Sequence, residues 1–490
     1  MMMPRSPHRL TPLFFLLLLV GFYFPLFVHL DSFSLRIYDE ARRAVNAFEM
    51  WQTGDLLVTT YEFEPEMWGT KPPLLIWCQA LMIELLGPTV LAIRLPSALA
   101  GLATALLLFG FAYRKLGGWP AGLTASFALL TANAYLKSSH SVRTGDFDAL
   151  LVLFCTAYLL AFFLYLESKQ TRYLYLTALG ILLAVLTKSI AGLLFGPGLL
   201  LYLLFKSELL PLLRNRHFYF SAVLCLLGIA AFYLSREQYN PGYLQAVWEN
   251  ELGGRYGQTL EAHKHPFSYY FERLPERFPY FLLFTLLGIG WGFSRFRKRQ
   301  SFTQRFALYS TLLTLSYLFV ISNSGTKLAW YDLPVFPFLS LLAAVGWVNV
   351  VWRKLSQVSK VERWVERAPW LPAAVTLLLL TAPYIFTLQY CMRPDPAKYD
   401  GTEAYGHYIE ELEEERDYYI TILSYRPDIR FYHLAYQTKG YNIQPVSPDY
   451  PPEPGHKVMI CGDKERKRVE EAGDFDILHQ RGKCLFVQMK

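Results

Sequence analysis

Pro72-Pro73-Leu74-Leu75-Ile76-Trp77-Cys78-Gln79-Ala80-Leu81-Met82-Ile83-Glu84-Leu85-Leu86-Gly87 is the stretch whose reading decides the topology of this chain. As a helix it covers only about 24 Å at 1.5 Å per residue, short of a bilayer core, and it carries Glu84. Counting it as a membrane span would turn every later basic loop to the outside. Reading it as a helix lying on, or dipping into, the outer surface gives a coherent positive-inside pattern. Arg5 and Arg9 are then inside. So are Arg114-Lys115, Lys169/Arg172, Lys206/Arg214/Arg216, Arg295/Arg297/Lys298/Arg299/Arg305 and Arg353/Lys354/Lys360/Arg363/Arg367.

Composition sets the class around that stretch. Of 490 residues 53% are hydrophobic and only 18% charged, and long apolar runs recur. The expected spans are 11–30, 89–113, 119–138, 148–166, 173–187, 190–205, 217–234, 278–294, 306–322, 333–352 and 370–390, about eleven by the length a bilayer requires. The first run ends in Val28-His29-Leu30 with no small-residue cleavage site, so it reads as a retained helix. The net charge of +7 sits largely in loops, where it sets orientation, and gives no reason to expect nucleic acid as a partner.

The expected fold is a polytopic α-helical membrane protein with outer-face juxtamembrane helices and a small C-terminal soluble α/β domain. Residues 1–390 form the membrane region, with outer loops at 31–88 and 235–277. Residues 391–490 form the outer α/β domain, entered at Arg393-Pro394-Asp395-Pro396. In the first loop, Ile37, Ala41, Ala44, Val45, Phe48 and Trp51 recur with helical spacing, which predicts an amphipathic helix on the membrane. In the tail, helix is expected over 402–417 and 464–472. Strands are expected over 418–423, 457–461 and 484–488. Cys78, Cys155 and Cys225 read as packing residues; Cys391, Cys461 and Cys484 fall outside, where a Cys461–Cys484 disulfide is one possibility.

The charged residues that remain are expensive at a bilayer surface unless they have work to do. Asp39, Glu40 and Arg42 open the first outer loop. Asp39 and Arg42, three apart, are expected to share a helix face, with the cation keeping the carboxylate ionised as a base for a hydroxyl. The alternative is a solvated helix start. Lys71 is pinned at the surface by Pro72-Pro73. Arg143 precedes Asp146 and Asp148 at the outer end of the third span, where either acid could simply cap a helix. Lys188 interrupts an apolar run, which favours a buried anionic partner. Glu249, Glu251 and Arg255 sit in the second outer loop, before His263-Lys264-His265 and Tyr270. The His-x-His pair allows a divalent metal, with no third ligand assigned by spacing. Lys327 and Tyr331 end the ninth span on the same side, as phosphate ligands or snorkelling anchors.

One-sided placement ties these signals together. A carboxylate and several cations at the outer leaflet suit a sugar carried on a lipid phosphate, because the leaving phosphate needs only cations to stabilise its developing charge. The stretches Asp39-Glu40-Ala41-Arg42, Lys71-Pro72-Pro73-Leu74, Arg94-Leu95-Pro96-Ser97, Arg143 to Asp148, Leu186-Thr187-Lys188, Arg255 through His263 to Tyr270, and Lys327 to Pro334 resemble the GT-C glycosyltransferases. Within these they are similar to bacterial relatives of the lipid A aminoarabinose transferase and of the protein O-mannosyltransferases. Thr70 and Ser189-Ile190-Ala191 depart from the aminoarabinose branch.

The resemblance implies an integral membrane glycosyltransferase of the bacterial inner membrane, working on the periplasmic face. Its donor would be an undecaprenyl- or other polyprenyl-phosphate sugar, and its acceptor a lipid, glycan or protein. It implies Asp39 in the catalytic position, with Glu40 beside it. It implies Arg42, Lys71, Arg143, Lys188, Arg255, Lys327 and Tyr331 around the donor phosphate. Asp146, Asp148, His263 and Tyr270 are further site candidates. A transporter, flippase or binding scaffold for lipid-linked sugars is the competing class; it would favour internal repeats, and none is visible.

Overall fold

The computed structural model describes residues 11–253, 263–294, 300–368, 370–393, 404–412, 414–421, 425–446 and 452–490. Among them seven helical stretches are long and apolar enough to cross a membrane: Val90–Leu130, Asp148–Ser168, Arg172–Leu193, Arg216–Tyr239, Phe302–Ser322, Ala329–Ser356 and Leu371–Cys391. Phe15–Phe27, Gly196–Phe205 and Leu282–Phe293 are shorter apolar helices where spans were expected. The expected spans 89–113 and 119–138 fall largely in one run of helical residues, Val90–Leu130, that turns back on itself. Its two halves, Val90–Ala112 and Gly118–Leu130, pack on each other. The reversal uses Gly117 and Gly118, at φ 146° and 70°, conformations that a side chain would strain.

Small residues let the helices approach closely elsewhere. A Cβ on Gly288 would collide with the Leu342 carbonyl, and one on Gly346 with the Phe284 carbonyl. This is how helices pack where lipid gives no hydrophobic drive between them.

The two outer helices of the first loop form as the sequence predicts. We call Thr11–Phe27 α1, Asp39–Thr53 α2 and Leu74–Leu86 α3. Helix α2 ends at Gly54 in the left-handed conformation. Helix α3 starts directly after Pro72-Pro73. It buries Leu75, Ile76, Gln79, Ala80 and Ile83 and leaves Leu81, Leu85 and Leu86 exposed. Glu84 is answered from α2, whose Trp51 Nε1 donates to its carboxylate at 2.6 Å. The acid that spoke against a span thus ties α3 to α2. A short hairpin joins β1 (Thr60–Tyr61) to β2 (Glu64–Pro65).

The tail folds into a five-stranded sheet. Its strands are β3 (Asp417–Thr421), β4 (Asn442–Val446), β5 (Lys457–Cys461), β6 (Phe475–Arg481) and β7 (Cys484–Met489), in the order β4-β3-β5-β7-β6. Strand β3 runs parallel to β4 and β5; β7 runs antiparallel to β5 and β6. The expected strands and the helix Asp463–Ala472 are present. The expected helix over 402–417 is confined to Ala404–Glu411 in the described residues. Helix Pro427–Gln437, β4 and β6 were not read from the sequence. Cys461 and Cys484 face each other across β5 and β7 and are bridged.

This sheet does not hang free. Ala41, Ala44, Val45, Phe48, Ile76 and Ile83 share one hydrophobic core with Tyr405, Tyr408, Ile429, Phe431, Met459 and Phe486. The Leu35 amide donates to the Tyr432 hydroxyl at 3.2 Å, and Arg430 pairs with the buried Glu49 of α2 at 3.1 Å. The amphipathic face of α2, expected to lie on lipid, is covered by the tail instead.

Candidate active site

Helix α2 presents its first turn to a cavity of about 360 Å³. Asp39 stands in its wall with a side chain 39% exposed, beside Arg43, His140, Asp146, Asp148, Lys71, Lys188, Glu251, Trp330 and Tyr331. Apolar side chains, among them Leu151, Ile190, Leu194, Val320 and Ile321, complete the lining. The residue before Asp39 is strained: Tyr38 has φ 77° and ψ −111°.

His140 is the hub. Its Nε2 lies 3.4 Å from Asp39, and its Nδ1 lies 3.5 Å from Asp146 and 3.4 Å from Asp148. The ring stacks on Trp330 at 3.7 Å between centroids. Lys188 Nζ meets the other oxygen of Asp148 at 2.6 Å, the buried anionic partner that its apolar surroundings called for. Lys71 pairs with Glu251 at 3.2 Å, and Arg43 with Asp39 at 3.7 Å.

These contacts sort the charges. Burial opposes the charge on Asp39, but the His140 hydrogen bond and the Arg43 cation outweigh it and hold the carboxylate well below its usual range. Burial likewise opposes the imidazolium, but Asp146, Asp148 and Asp39 raise His140 to about 9. Burial pushes Asp146 up, His140 draws it down, and the charges of Asp39 and Glu40 add to the rise, to about 7. At neutral pH the site therefore holds an ionised Asp39 against a protonated histidine.

A pH dependence follows. The folded His140 binds its proton more tightly than the ordinary value of 6.5. Its stabilising charge is complete below that value and lost as pH rises through about 9, a contribution on the order of a few kcal/mol. Thermal unfolding of the detergent-purified protein, followed from pH 6 to 10, is expected to show this alkaline loss. The His140→Gln protein should lack it; identical profiles for the two would exclude the bridged cation.

Several of the residues expected at the site stand elsewhere. Glu40 is only 1% exposed and is enclosed by Arg94 at 2.7 and 2.9 Å and by the amides of Gly145 and Arg36 at 2.7 and 2.9 Å. Arg94 also donates to the carbonyls of Leu30, Phe33 and Ser34. Glu40 is thus a structural clasp that fixes the corner before Asp39, with no access to the cavity.

Arg42 does not share Asp39's cavity. It forms a bidentate pair with Glu66 at 2.6 and 2.8 Å, donates to the Tyr425 hydroxyl, and lies over the rings of Tyr61 and Trp68. Arg43, four residues from Asp39, takes the place expected of it. Arg143 donates to the carbonyls of Pro25, Val28 and His29 and so caps the end of α1. Lys327 is turned onto the Ser324 carbonyl at 2.7 Å, and Tyr270 onto the Leu328 carbonyl. Arg255 lies outside the described residues.

His265 stacks on Tyr269, and the His263 carbonyl accepts the Lys327 amide. Among the described residues no group of three or more His, Cys, Asp or Glu is placed to hold a metal ion. Arg43 and His140 were not singled out from the sequence, and Glu251 and Trp330 lay in stretches noted there without a role of their own at the site. For Arg43 the signal was available, since a partner four residues on is as good a helical neighbour as one three on.

Comparison with known proteins bears on the fold. Residues 70–234 match the dolichyl-phosphate-mannose-protein mannosyltransferase family. The chain is 29% identical over 380 residues to the undecaprenyl phosphate-alpha-4-amino-4-deoxy-L-arabinose arabinosyl transferase of Aeromonas hydrophila. That match covers 75% of this chain and 65% of the relative, so the chain spans just under two thirds of that relative's length. Among solved structures it resembles ArnT from Cupriavidus metallidurans bound to undecaprenyl phosphate. The TM-score is 0.72 and the identity 19%, over 97% of this chain and 98% of the other. It also resembles the oligosaccharyltransferase AglB from Archaeoglobus fulgidus in complex with an inhibitory peptide and a dolichol-phosphate. There the TM-score is 0.52 and the identity 16%, over 87% and 64% of the two chains. The expected resemblance holds: the chain has the GT-C fold and is similar to the bacterial aminoarabinose transferases and the protein mannosyltransferases.

Proposed function

We propose that this enzyme transfers a sugar from a polyprenyl phosphate to an acceptor hydroxyl at the periplasmic face of the bacterial inner membrane. The observation that carries the reading is the joint lining of the Asp39 cavity by an ionised carboxylate, the cations Arg43, Lys71 and Lys188, and a run of apolar side chains. Such a wall accommodates a charged phosphate, a sugar and the start of a lipid tail in one space. Each lysine ammonium has three N–H donors, so an incoming phosphate can be bound without dismissing the existing carboxylate partner.

In the transfer step the acceptor oxygen bonds to the anomeric carbon as the bond from that carbon to the phosphate oxygen breaks. The electron pair leaves with the polyprenyl phosphate, where the lysines stabilise it. The acceptor proton passes to Asp39. A carboxylate held so far below the usual range accepts a proton only once the new bond has made the hydroxyl strongly acidic. Proton transfer is then late, and the Asp39 charge faces the positive sugar carbon throughout.

The basic loops support the orientation, and the Cys461–Cys484 bridge supports placing the tail in an oxidising compartment. We read residues 1–390 as the catalytic membrane region and 391–490 as a periplasmic α/β domain. The acceptor is a glycolipid such as lipid A, another glycan or a protein.

The direct test offers purified protein in vesicles a polyprenyl-phosphate sugar together with glycolipid, glycan or hydroxyl-peptide acceptors and measures acceptor-dependent release of polyprenyl phosphate. Absence of release with every acceptor overturns the reading. Orientation has its own check. A membrane-impermeant maleimide applied to intact spheroplasts is expected to label a cysteine at Leu56 and to spare one at Lys354; the reverse pattern would invert the topology.

A further inference from the structure

A second cavity, of about 220 Å³, opens where the tail meets the first outer loop. It lies against the parallel strands β3 and β4, whose Ile420, Ile443 and Pro445 line it. Tyr61 and Tyr425 line it with ring centroids 5.9 Å apart. At its mouth Tyr38 stacks on Tyr425 at 6.5 Å, with 69% of the Tyr38 side chain exposed. An aromatic ring left in water on a strained backbone, next to Asp39, has no structural return of its own.

The polar lining has a specific character. Arg426 is locked to Asp428 at 2.9 and 2.6 Å, and Arg430 to Glu49 and Glu62. The guanidinium forks are therefore rigid and their charges answered, so the cavity is no simple anion trap. Two atoms remain over: Arg430 Nε and His433 Nε2 are buried with no hydrogen-bond partner among the described residues. Burial and the Arg430 charge lower the proton affinity of His433, leaving a neutral imidazole that can meet a hydroxyl. Aromatic faces, fixed planar donors and carboxylate acceptors together match the apolar C–H face and the ring of hydroxyls of a pyranose.

We infer that this cavity is a carbohydrate-binding site, with a pyranose ring against Tyr61 and Tyr425 and its hydroxyls on Arg430 and His433. Resting on the transfer reading above, the bound residue is part of the acceptor, which makes the acceptor a glycan or glycolipid instead of a bare protein hydroxyl. The tail thereby selects what reaches Asp39. Arg42, bonded to the Tyr425 hydroxyl at 2.7 Å, ties the two sites to the same turn of α2.

The test uses the full chain in lipid nanodiscs and saturation-transfer NMR with methyl β-glucopyranoside, inorganic phosphate and a serine/threonine peptide as separate probes. Saturable glycoside binding is expected, weakened at least tenfold by Tyr425→Ala and by His433→Phe. Tyr425→Phe, which keeps the ring, should retain it. Undecaprenyl phosphate binding should be equal in all four proteins. Glycoside binding that ignores both substitutions, its displacement by phosphate, or saturable binding of the peptide alone would overturn the inference. Glycoside binding that behaves as expected, in a protein that releases no polyprenyl phosphate, would instead sink the transfer reading and leave the carbohydrate site standing.

Discussion

Asp39→Asn is expected to lower sugar transfer by about 10²–10⁴-fold while leaving donor-lipid binding within a few-fold of the parent. The side chain reaches no core position, so the amide fits where the carboxylate stood. What is lost is the negative charge facing the anomeric carbon and the acceptor for the hydroxyl proton. The same substitution removes one of the three carboxylates holding His140 at about 9. His140 should then lose its proton at lower pH than in the parent, and with the proposed base gone donor turnover should fall at every pH. Turnover measured in vesicles and undecaprenyl phosphate binding measured on the same sample separate the two effects. Full turnover by the Asn protein would remove Asp39 from the chemistry.

The adjacent residue is expected to behave in the opposite sense. Glu40→Gln leaves Arg94 buried with its partner's charge gone, and losing one member of a buried pair costs about 3–5 kcal/mol. Three carbonyls still face Arg94, but none of them neutralises it. The Gln protein should unfold at a clearly lower temperature in detergent and give less folded material. The fraction that folds should transfer sugar at a rate close to the parent. Parent-like stability with turnover as poor as that of Asp39→Asn would restore Glu40 to the catalytic group. Two neighbouring acids in the sequence are thus expected to carry different duties, one in rate and one in folding.

That division marks the limit of what the sequence could say. The outer helices α2 and α3 were legible because apolar spacing and the Pro72-Pro73 start are local properties. Asp39, Lys71 and Lys188 were legible as site residues because charge beside lipid is costly wherever the chain goes. The partners of those charges were not. Glu40 and Asp39 look alike until Arg94 arrives from 54 residues away. Arg42 and Arg143 read as phosphate ligands, since nothing local reveals Glu66 or the carbonyls at the end of α1. His140 was invisible for the converse reason. A lone histidine between small residues has no pattern, and its meaning comes only from three carboxylates and a tryptophan brought together by folding. Seven of the helical stretches reach the length and hydropathy of a span among the described residues, and others expected as spans, such as Gly196–Phe205, are shorter apolar helices.

The core that α2 shares with the tail has a consequence for biogenesis. Leu35 and Tyr432, which bond to each other, are 397 positions apart. At ribosomal rates, roughly 20–80 s separate their emergence. Through that interval the apolar face of α2 is covered by α3 but lacks the part of its core that the tail supplies. The shared core is complete only when the tail has folded against α2. Synthesis cut short in the tail is therefore expected to leave α2 without that part of its core, and under the proposed function transfer would then report on completion of this contact.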